Sequence, residues 1–380
     1  MTVAVKKNIV LASGGTGGHI FPARALAEEL TARGFAVTLI TDGRGEKFEQ
    51  LFPGVSILQV KAGSPSVRGI VGKIKAVASL IIGFFQARRA LRRLKPAVVV
   101  GFGGYPSMPP AAAAASLGIP LLLHEQNAVL GRVNKLLANH ARIIATSFDH
   151  TESPDNEIAN KMIYTGNPVR RAILPLFGRH YESLTPEGEI KLLVLGGSQG
   201  ATILSKVVPT ALAALPEDLK SRLHVTQQCR AEDLEAVRTV YSGANIDANL
   251  STFFDNVAEL LGECHLAITR SGASTLSELT VAGRPSLLVP YKHAMDDHQR
   301  KNGENAVARG AARLILQDNF TVEEATRQLT YLLRHPDCLS VMASAASSLG
   351  EIHAAEKLAD LVEECKPANS DSKNSGKAAA

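Results

Sequence analysis

The stretch Leu266–Pro290, LAITRSGASTLSELTVAGRPSLLVP, reads as strand, tight turn, helix and strand. Leu266 to Thr269 is a short apolar strand, Arg270-Ser271-Gly272-Ala273 is a turn of small residues, and Ser274 to Ala282 is a helix closed by Gly283. A helix that starts there points free N–H groups at the turn, and its dipole favours negative charge. A phosphate or diphosphate therefore fits at Arg270, Ala273, Ser274 and Thr275. Glu278 follows about one turn further along, where a carboxylate can accept from two vicinal hydroxyls such as those of a ribose. A serine-capped βα unit with a solvated glutamate has the same pattern. The next strand, Ser286 to Val289, leads into Pro290-Tyr291 and the polar loop His293–Gln299. In a parallel sheet that loop falls on the same edge as the turn, and open α/β sheets bind ligands at that edge.

Working outward, Asn8 to Ala12 is a buried strand, and Ser13-Gly-Gly-Thr-Gly-Gly-His19 opens into a helix over Pro22 to Arg33. The glycine spacing departs from the dinucleotide fingerprint, and no Gly-Lys-Ser/Thr follows, so neither a nicotinamide site nor a P-loop is indicated, despite Asp42 at the end of the next strand. Val98 to Gly101 ends in a second glycine loop, Phe102-Gly103-Gly104-Tyr105. Strand Ile119 to Leu123 ends in His124-Glu125-Gln126-Asn127, four polar side chains at a functional edge. Strand Met162 to Tyr164 leads to Gly166-Asn-Pro-Val-Arg170, and Pro168, Pro175 and Pro186 mark a linker. Leu192 to Leu195 restarts the pattern, with a third glycine loop, Gly196-Gly-Ser-Gln-Gly200, that mirrors the first. Two similar βα halves, each presenting glycine loops, imply a cleft between them.

With 380 residues, 45% hydrophobic and 20% charged, the chain has room for two domains, and a net charge of +5 does not suggest nucleic acid. Cys229, Cys264, Cys338 and Cys365 lack the spacing of a disulfide framework or a zinc site, which suits a reducing cytoplasm. The N-terminus lacks a signal-peptide core, and Ala76 to Phe85, the longest apolar run, is short of the roughly 20 residues a span needs. The tail beyond Lys366 has no apolar period and is expected to be disordered. Between Leu51 and His124 there is no acidic residue, while basic ones recur. Within this region Ile70 to Leu94 reads as one long helix. One face packs on the sheet, and Ile81, Phe84, Phe85, Arg88, Arg89, Arg92 and Arg93 suit an anionic membrane surface.

Taken together, Gly14-Gly-Thr-Gly-Gly-His19, Gly103-Gly-Tyr105, His124-Glu-Gln-Asn127, Gly166-Asn-Pro-Val-Arg170, Gly196-Gly-Ser-Gln-Gly200, Arg270-Ser-Gly-Ala273 through Glu278, and Asp297-His-Gln299 resemble the MurG family. These are the bacterial N-acetylglucosaminyltransferases of peptidoglycan synthesis, which convert lipid I to lipid II. The resemblance runs in order from about Asn8 to Glu364. It implies an α/β protein of the GT-B fold, with two Rossmann-like domains facing a cleft. The divisions are an N-terminal acceptor- and membrane-binding domain over residues 1–168, a linker over 169–189 and a C-terminal domain binding UDP-N-acetylglucosamine over 190–349. A helix over 350–366 returns to the first domain, and 367–380 form the tail.

The same resemblance implies UDP-N-acetylglucosamine as donor, lipid I as acceptor, a new β-1,4 bond, no cofactor, and a peripheral place on the cytoplasmic face of the inner membrane. Other cell-wall synthesis and division proteins are candidate partners. Asn127 and Arg170 are implied donor contacts, Phe254 borders the uracil, Glu278 holds the ribose and Gln299 meets the sugar hydroxyls. Thr16, Gly17, Gly18 and Ser198 join the donor set, and Gly14, Gly15, Gly103, Gly104 and Tyr105 the acceptor set. No Asp-x-Asp occurs, and His293, Asp296, Asp297 and His298 read as a sugar loop rather than a metal site. An inverting transfer needs a base for the acceptor hydroxyl, for which His19 is the candidate, with Glu125 orienting the hydroxyl or replacing it. Two rivals share the pattern: another GT-B enzyme, such as a UDP-N-acetylglucosamine 2-epimerase or a glycolipid synthase, and a non-catalytic UDP-sugar-binding scaffold.

Overall fold

A computed structural model describes residues 7–43, 49–63, 69–197 and 200–366. The chain opens with β1 (Asn8–Ala12), α1 (Gly17–Ala32), β2 (Ala36–Thr41), β3 (Ser56–Gln59), α2 (Ile70–Leu94), β4 (Val98–Gly101), α3 (Met108–Ser116), β5 (Leu121–Glu125), α4 (Arg132–Leu137), β6 (Ile143–Thr146), α5 (Asn156–Ala159) and β7 (Met162–Tyr164). It continues with β8 (Ile190–Leu195), α6 (Thr202–Ala213), α7 (Glu217–Lys220), β9 (Leu223–Gln228), α8 (Leu234–Gly243), β10 (Asp247–Ser251), α9 (Val257–Glu263), β11 (Leu266–Thr269), α10 (Ala273–Val281), β12 (Ser286–Leu288), α11 (His298–Ala308) and β13 (Ala312–Leu314). Three helices end it: α12 (Val322–Arg334), α13 (Pro336–Ser348) and α14 (Ala354–Cys365).

The strands form two wholly parallel sheets, ordered β3-β2-β1-β4-β5-β6-β7 and β10-β9-β8-β11-β12-β13. Parallel strands need crossovers on both faces, so β1 divides its side chains between two cores. Ile9 and Leu11 pack with α1 and α14, and Val10 and Ala12 with the α2 and α3 side. In each sheet the order reverses at the first strand of its half, between β1 and β4 and between β8 and β11. Loops leaving such a pair diverge to opposite faces and open a crevice. The glycine loops after β1 and β4, and the turn after β11, all leave from these points.

Local chemistry moves several boundaries. Thr16 is extended (φ −115, ψ 163) and its carbonyl accepts from Ile20 N at 3.2 Å, so α1 begins at Gly17 rather than Pro22. Gly17, Gly18 and His19 are thus its first turn. Strand β5 runs two residues past Leu123, so His124 and Glu125 are its last ladder positions, paired with Ala145 and Thr146 of β6. Helix α2 matches its expected span. It settles close to the first sheet because Gly83 lacks a Cβ, which would lie 1.8 Å from the Lys61 carbonyl oxygen. Helix α14 lies on α1 and shares the core of the first sheet through Leu358, Ala359 and Val362. Arg33 clasps it through Asp360 (2.6 Å), Glu363 (3.2 Å) and the Glu356 carbonyl (3.2 Å).

Candidate active site

The turn after β11 is built as a free helix end. Gly272 stands at the N-cap of α10 (φ −68, ψ 141), and among the described residues no side chain caps the helix. Ala273, Ser274 and Thr275 form its first turn, and Ser274 Oγ is buried without a partner among the described residues. Glu278, one turn on, is 8% exposed and accepts from Arg170 Nε and Nη2, both at 2.6 Å. This forked, charge-assisted pair ties α10 to the crossover segment that follows β7. Arg170 also lies over the Phe21 ring of α1, 5.5 Å from its centroid, so one guanidinium touches both halves. Gln299 Oε1 accepts from Tyr291 N at 2.9 Å, and its carbonyl accepts from Ser271 Oγ at 2.7 Å.

Arg270 is turned to the strand end instead. Its Nη1 donates to the carbonyls of Val289 (2.9 Å) and Pro290 (3.2 Å), beneath the Tyr291 ring, and burial lowers its pKa to about 10. Phe254 is half-buried against the core that holds Val169, Ile173 and Leu261, while its neighbour Phe253 is exposed. Ser198 lies outside the described residues.

In the first half, Gly14, Gly15, Thr16, His19, Gly103, Gly104, Tyr105, Glu125 and Asn127 line one cavity of about 560 Å³, together with Gln126, Arg132, Asn134 and Asp296. Gly103 and Gly104 hold left-handed backbone (φ 76 and 70), which lets their loop pass close under the His19 ring. Gly14 serves packing: a Cβ there would meet Pro106 Cβ at 2.7 Å and Thr41 Oγ1 at 2.8 Å. At Gly18 the space is open except for Thr16 Oγ1 at 3.7 Å.

The histidine is held by Gln126, which is itself fixed by His124. Gln126 Nε2 faces His124 Nδ1 (2.8 Å) and donates to the His124 carbonyl (3.0 Å), which leaves Gln126 Oε1 to accept from His19 Nδ1 at 2.8 Å. In this arrangement a neutral His19 carries its lone pair on Nε2. Loss of water lowers the His19 pKa, and Gln126, the Glu125 charge and the Phe102 carbonyl only partly offset it. His124, fully buried, is lowered by burial to about 4 and is neutral at ordinary pH.

Glu125, 2% exposed, is bound on every side. Oε1 accepts from Asn127 N and Nδ2, both at 3.0 Å, and Oε2 accepts from Gly131 N and Asn134 Nδ2, both at 2.8 Å. Four donors fill the lone-pair positions of a carboxylate, so an acceptor hydroxyl would have to displace one of them. Gln126, Asn134 and Asn302 are absent from the sequence-based site. Gln126 stood in the quoted run, and Asn302 follows Gln299 by three residues on one helix face, but Asn134 carries no local signal.

The expected sugar loop forms a short 3-10 turn and the start of α11. Asp296 pairs with Arg132 across the cleft (3.0 Å), and His298 Nδ1 lies 2.7 Å from the Met295 carbonyl. Among the described residues no three His, Cys, Asp or Glu side chains converge. Away from the cleft, α2 buries Ala76, Gly83, Ala87 and Leu91 and exposes Ile70, Val71, Ile74, Val77, Ile81, Ile82 and Phe85. Among the described residues it is the one helix long and apolar enough to cross a membrane, yet this buried stripe packs it on α3. Arg89, Arg92 and Arg93 are exposed. Arg88 departs from the expectation of a surface-facing basic residue: it is half-buried, with Nε sealed from solvent and without a partner among the described residues, because it follows Ala87 onto the packed face. Phe84 is also half-buried, edge-on to Phe85 at 5.3 Å.

Comparison with known proteins bears on this geometry. Residues 9–146 match the glycosyltransferase family 28 N-terminal domain and residues 191–365 its C-terminal domain. The chain is 50% identical over 357 residues to the UDP-N-acetylglucosamine--N-acetylmuramyl-(pentapeptide) pyrophosphoryl-undecaprenol N-acetylglucosamine transferase of Paramagnetospirillum magneticum, covering 94% of this chain and 96% of that one. The enzyme of the same name from Rhodospirillum centenum is 51% identical over 354 residues, 93% of each chain. The crystal structure of Acinetobacter baumannii MurG superposes with a TM-score of 0.77 at 29% identity, covering 94% of this chain and 99% of that one. A putative UDP-N-acetylglucosamine 2-epimerase from Listeria monocytogenes has a TM-score of 0.66 at 16% identity, covering 95% and 96%, a likeness of fold alone. With two doubly wound sheets meeting at a cleft and this identity along nearly the whole length, the chain belongs to the MurG family of GT-B N-acetylglucosaminyltransferases.

Proposed function

We infer that the protein transfers N-acetylglucosamine from UDP-N-acetylglucosamine to undecaprenyl-diphosphoryl-N-acetylmuramoyl-pentapeptide, lipid I, with inversion, forming the β-1,4 bond of lipid II. The observation that carries this reading is the cleft: a helix start from each half, at Gly17 and Ala273, without a side-chain cap among the described residues, on helices α1 and α10 that touch, with an imidazole in the first of these turns whose pKa burial lowers. In the transfer the 4-hydroxyl of the acceptor sugar attacks the anomeric carbon and the bond to the diphosphate oxygen breaks. The hydroxyl proton passes to His19 Nε2, and UDP leaves with its charge facing the first turn of α10. Glu125 orients the loop that carries Asn127 and takes no proton. Glu278 retains lone pairs for the ribose beside its bonds to Arg170. Thr16, Gly17, Gly18, Asn127, Phe254, Gln299 and Ser198 complete the donor set. Gly14, Gly15, Gly103, Gly104 and Tyr105 receive the acceptor diphosphate. This reading keeps the division at residues 1–168, 169–189, 190–349 and 350–366.

Incubation with labelled UDP-N-acetylglucosamine and a lipid I analogue tests it. Label should appear in the lipid product, and release of free sugar, epimerisation at C2 or binding without turnover would overturn it.

The exposed apolar face of α2, with Arg89, Arg92 and Arg93 at its end, supports a peripheral site on the anionic cytoplasmic face of the inner membrane. Each basic residue near such a surface contributes about 1 kcal/mol. Reversing those three to Glu should abolish co-sedimentation with anionic vesicles and leave the unfolding transition unchanged. Unaltered co-sedimentation would remove the membrane from this reading. Other cell-wall synthesis and division proteins remain candidate partners.

A further inference from the structure

One fully buried side chain on α11 is shared by the two halves. Asn302 Oδ1 accepts from Ala128 N at 2.8 Å, and its Nδ2 donates to Asn127 Oδ1 at 3.1 Å and to the Ser271 carbonyl at 3.2 Å. Ala128 and Asn127 follow β5 in the first half, whereas Ser271 is the turn before α10 in the second. Each of these partners is itself committed. Asn127 Nδ2 donates to Glu125 Oε1 at 3.0 Å, which leaves its Oδ1 facing Asn302, and Ser271 Oγ donates to the Gln299 carbonyl at 2.7 Å. A continuous hydrogen-bond path thus runs Glu125, Asn127, Asn302, Ser271, Gln299, from the edge of the first sheet to the sugar loop of the second.

The local packing is shaped for this contact. Gly303 lets α11 approach the turn: a Cβ there would lie 2.5 Å from Leu314 Cδ1 and 3.3 Å from Ser271 Cβ. Ion pairs flank the amide on either side, Arg132 with Asp296, Lys301 with Glu152 and Arg309 with Asp149, each joining the two halves at the exposed rim. Rim pairs in water contribute little and tolerate misalignment. A buried amide with one acceptor and two donor bonds tolerates neither, because parting the halves strands polar groups on both.

We propose that Asn302 is the positioning residue of the transfer: it latches the two halves in register and fixes the Asn127 carboxamide, so that the acceptor side and the donor side are assembled together. The inference rests on the reading that Asn127, Glu125 and Gln299 serve the transfer. It has a readout that does not. Spin labels at exposed Leu136→Cys in the first half and Val341→Cys in the second, in a Cys338→Ser background, report the separation of the halves with no turnover.

The unsubstituted latch should give one narrow distance distribution, and Asn302→Ala a broad one. In the transfer assay the same variant should lose kcat by a coupling factor of roughly 5- to 150-fold while its Kd for UDP stays within about threefold. Asn302→Asp sharpens the test and serves if the alanine variant fails to fold. Its carboxylate still accepts from Ala128 N but repels the Ser271 carbonyl and Asn127 Oδ1, so it should broaden the distances and lower kcat at least as far. Narrow distances and unchanged kcat in a folded variant would overturn the latch. So would equal losses in kcat and UDP affinity, the mark of general damage to the fold. If the wild-type protein transfers no sugar but the distances respond, the latch stands and the transfer reading falls.

Discussion

Two buried carboxylates, one in each half, are held in opposite ways. Glu125 takes four neutral N–H donors, two from the backbone and two from side-chain amides, all from its own half. Glu278 takes a single guanidinium, Arg170, which comes from the crossover and rests on Phe21 of the first half. Neutral, local, saturating bonds make a fixed anchor. One guanidinium reaching from elsewhere takes one position on each carboxylate oxygen and leaves the others for sugar hydroxyls. The difference supports the proposed division of labour, in which Glu125 holds the acceptor-side loop and Glu278 meets the donor.

The strongest test of that contrast is at neither carboxylate. If the proposed transfer holds and His19 is its base, His19→Ala should lower kcat about 10²- to 10⁴-fold with UDP affinity unchanged. The pH profile carries the same information with a definite sign. The base acts when neutral, and its pKa is lowered by burial. Hence kcat/KM should fall with pH only below the ordinary histidine range, and the limb should vanish in the variant. A wild-type limb above that range would contradict it.

Next in size, Glu125→Ala orphans buried donors at Asn127 and Gly131 and should cost roughly 3 kcal/mol or more of stability in urea unfolding. A loss below about 1 kcal/mol would mean that the four bonds do not anchor the loop. Glu278→Ala should be smaller in stability and visible in binding. It should remove roughly 1.5 to 3 kcal/mol of UDP affinity and none for 2′,3′-dideoxy-UDP, measured by calorimetry. If both nucleotides weaken equally, Glu278 does not meet the ribose. Last, Arg170→Lys keeps the charge but loses the fork to Glu278, and should cost about 1 kcal/mol of UDP affinity. A larger loss would make Arg170 a direct diphosphate contact.

The parts of the site that were legible beforehand are those written in neighbouring residues. The glycine loops, His19, the run from His124 to Asn127 and the pattern from Arg270 to Glu278 each show a strand, a turn and a chemistry-bearing residue within a few positions. The misplacements have local causes. Pro22 read as a helix start because proline is common there, but Thr16 already supplies the extended residue and the carbonyl that begin α1. Arg88 read as solvated because it sits among arginines, and only its phase relative to Ala87 and Leu91 turns it inward.

By itself the sequence determined the repeated βα pattern, the two halves, the acid-free stretch from Leu51 to His124 and the glycine turns, since periodicity, backbone freedom and charge are properties of neighbours along the chain. Only the tertiary structure decided which distant groups meet: Gln126 with His19, 107 residues apart, Arg170 with Glu278, 108 apart, and Asn302 with Ala128, 174 apart. The reason is that a side-chain hydrogen bond reaches about 3 Å, so its partner is chosen by how helices and sheets pack, and that packing depends on the whole buried surface rather than on any short stretch.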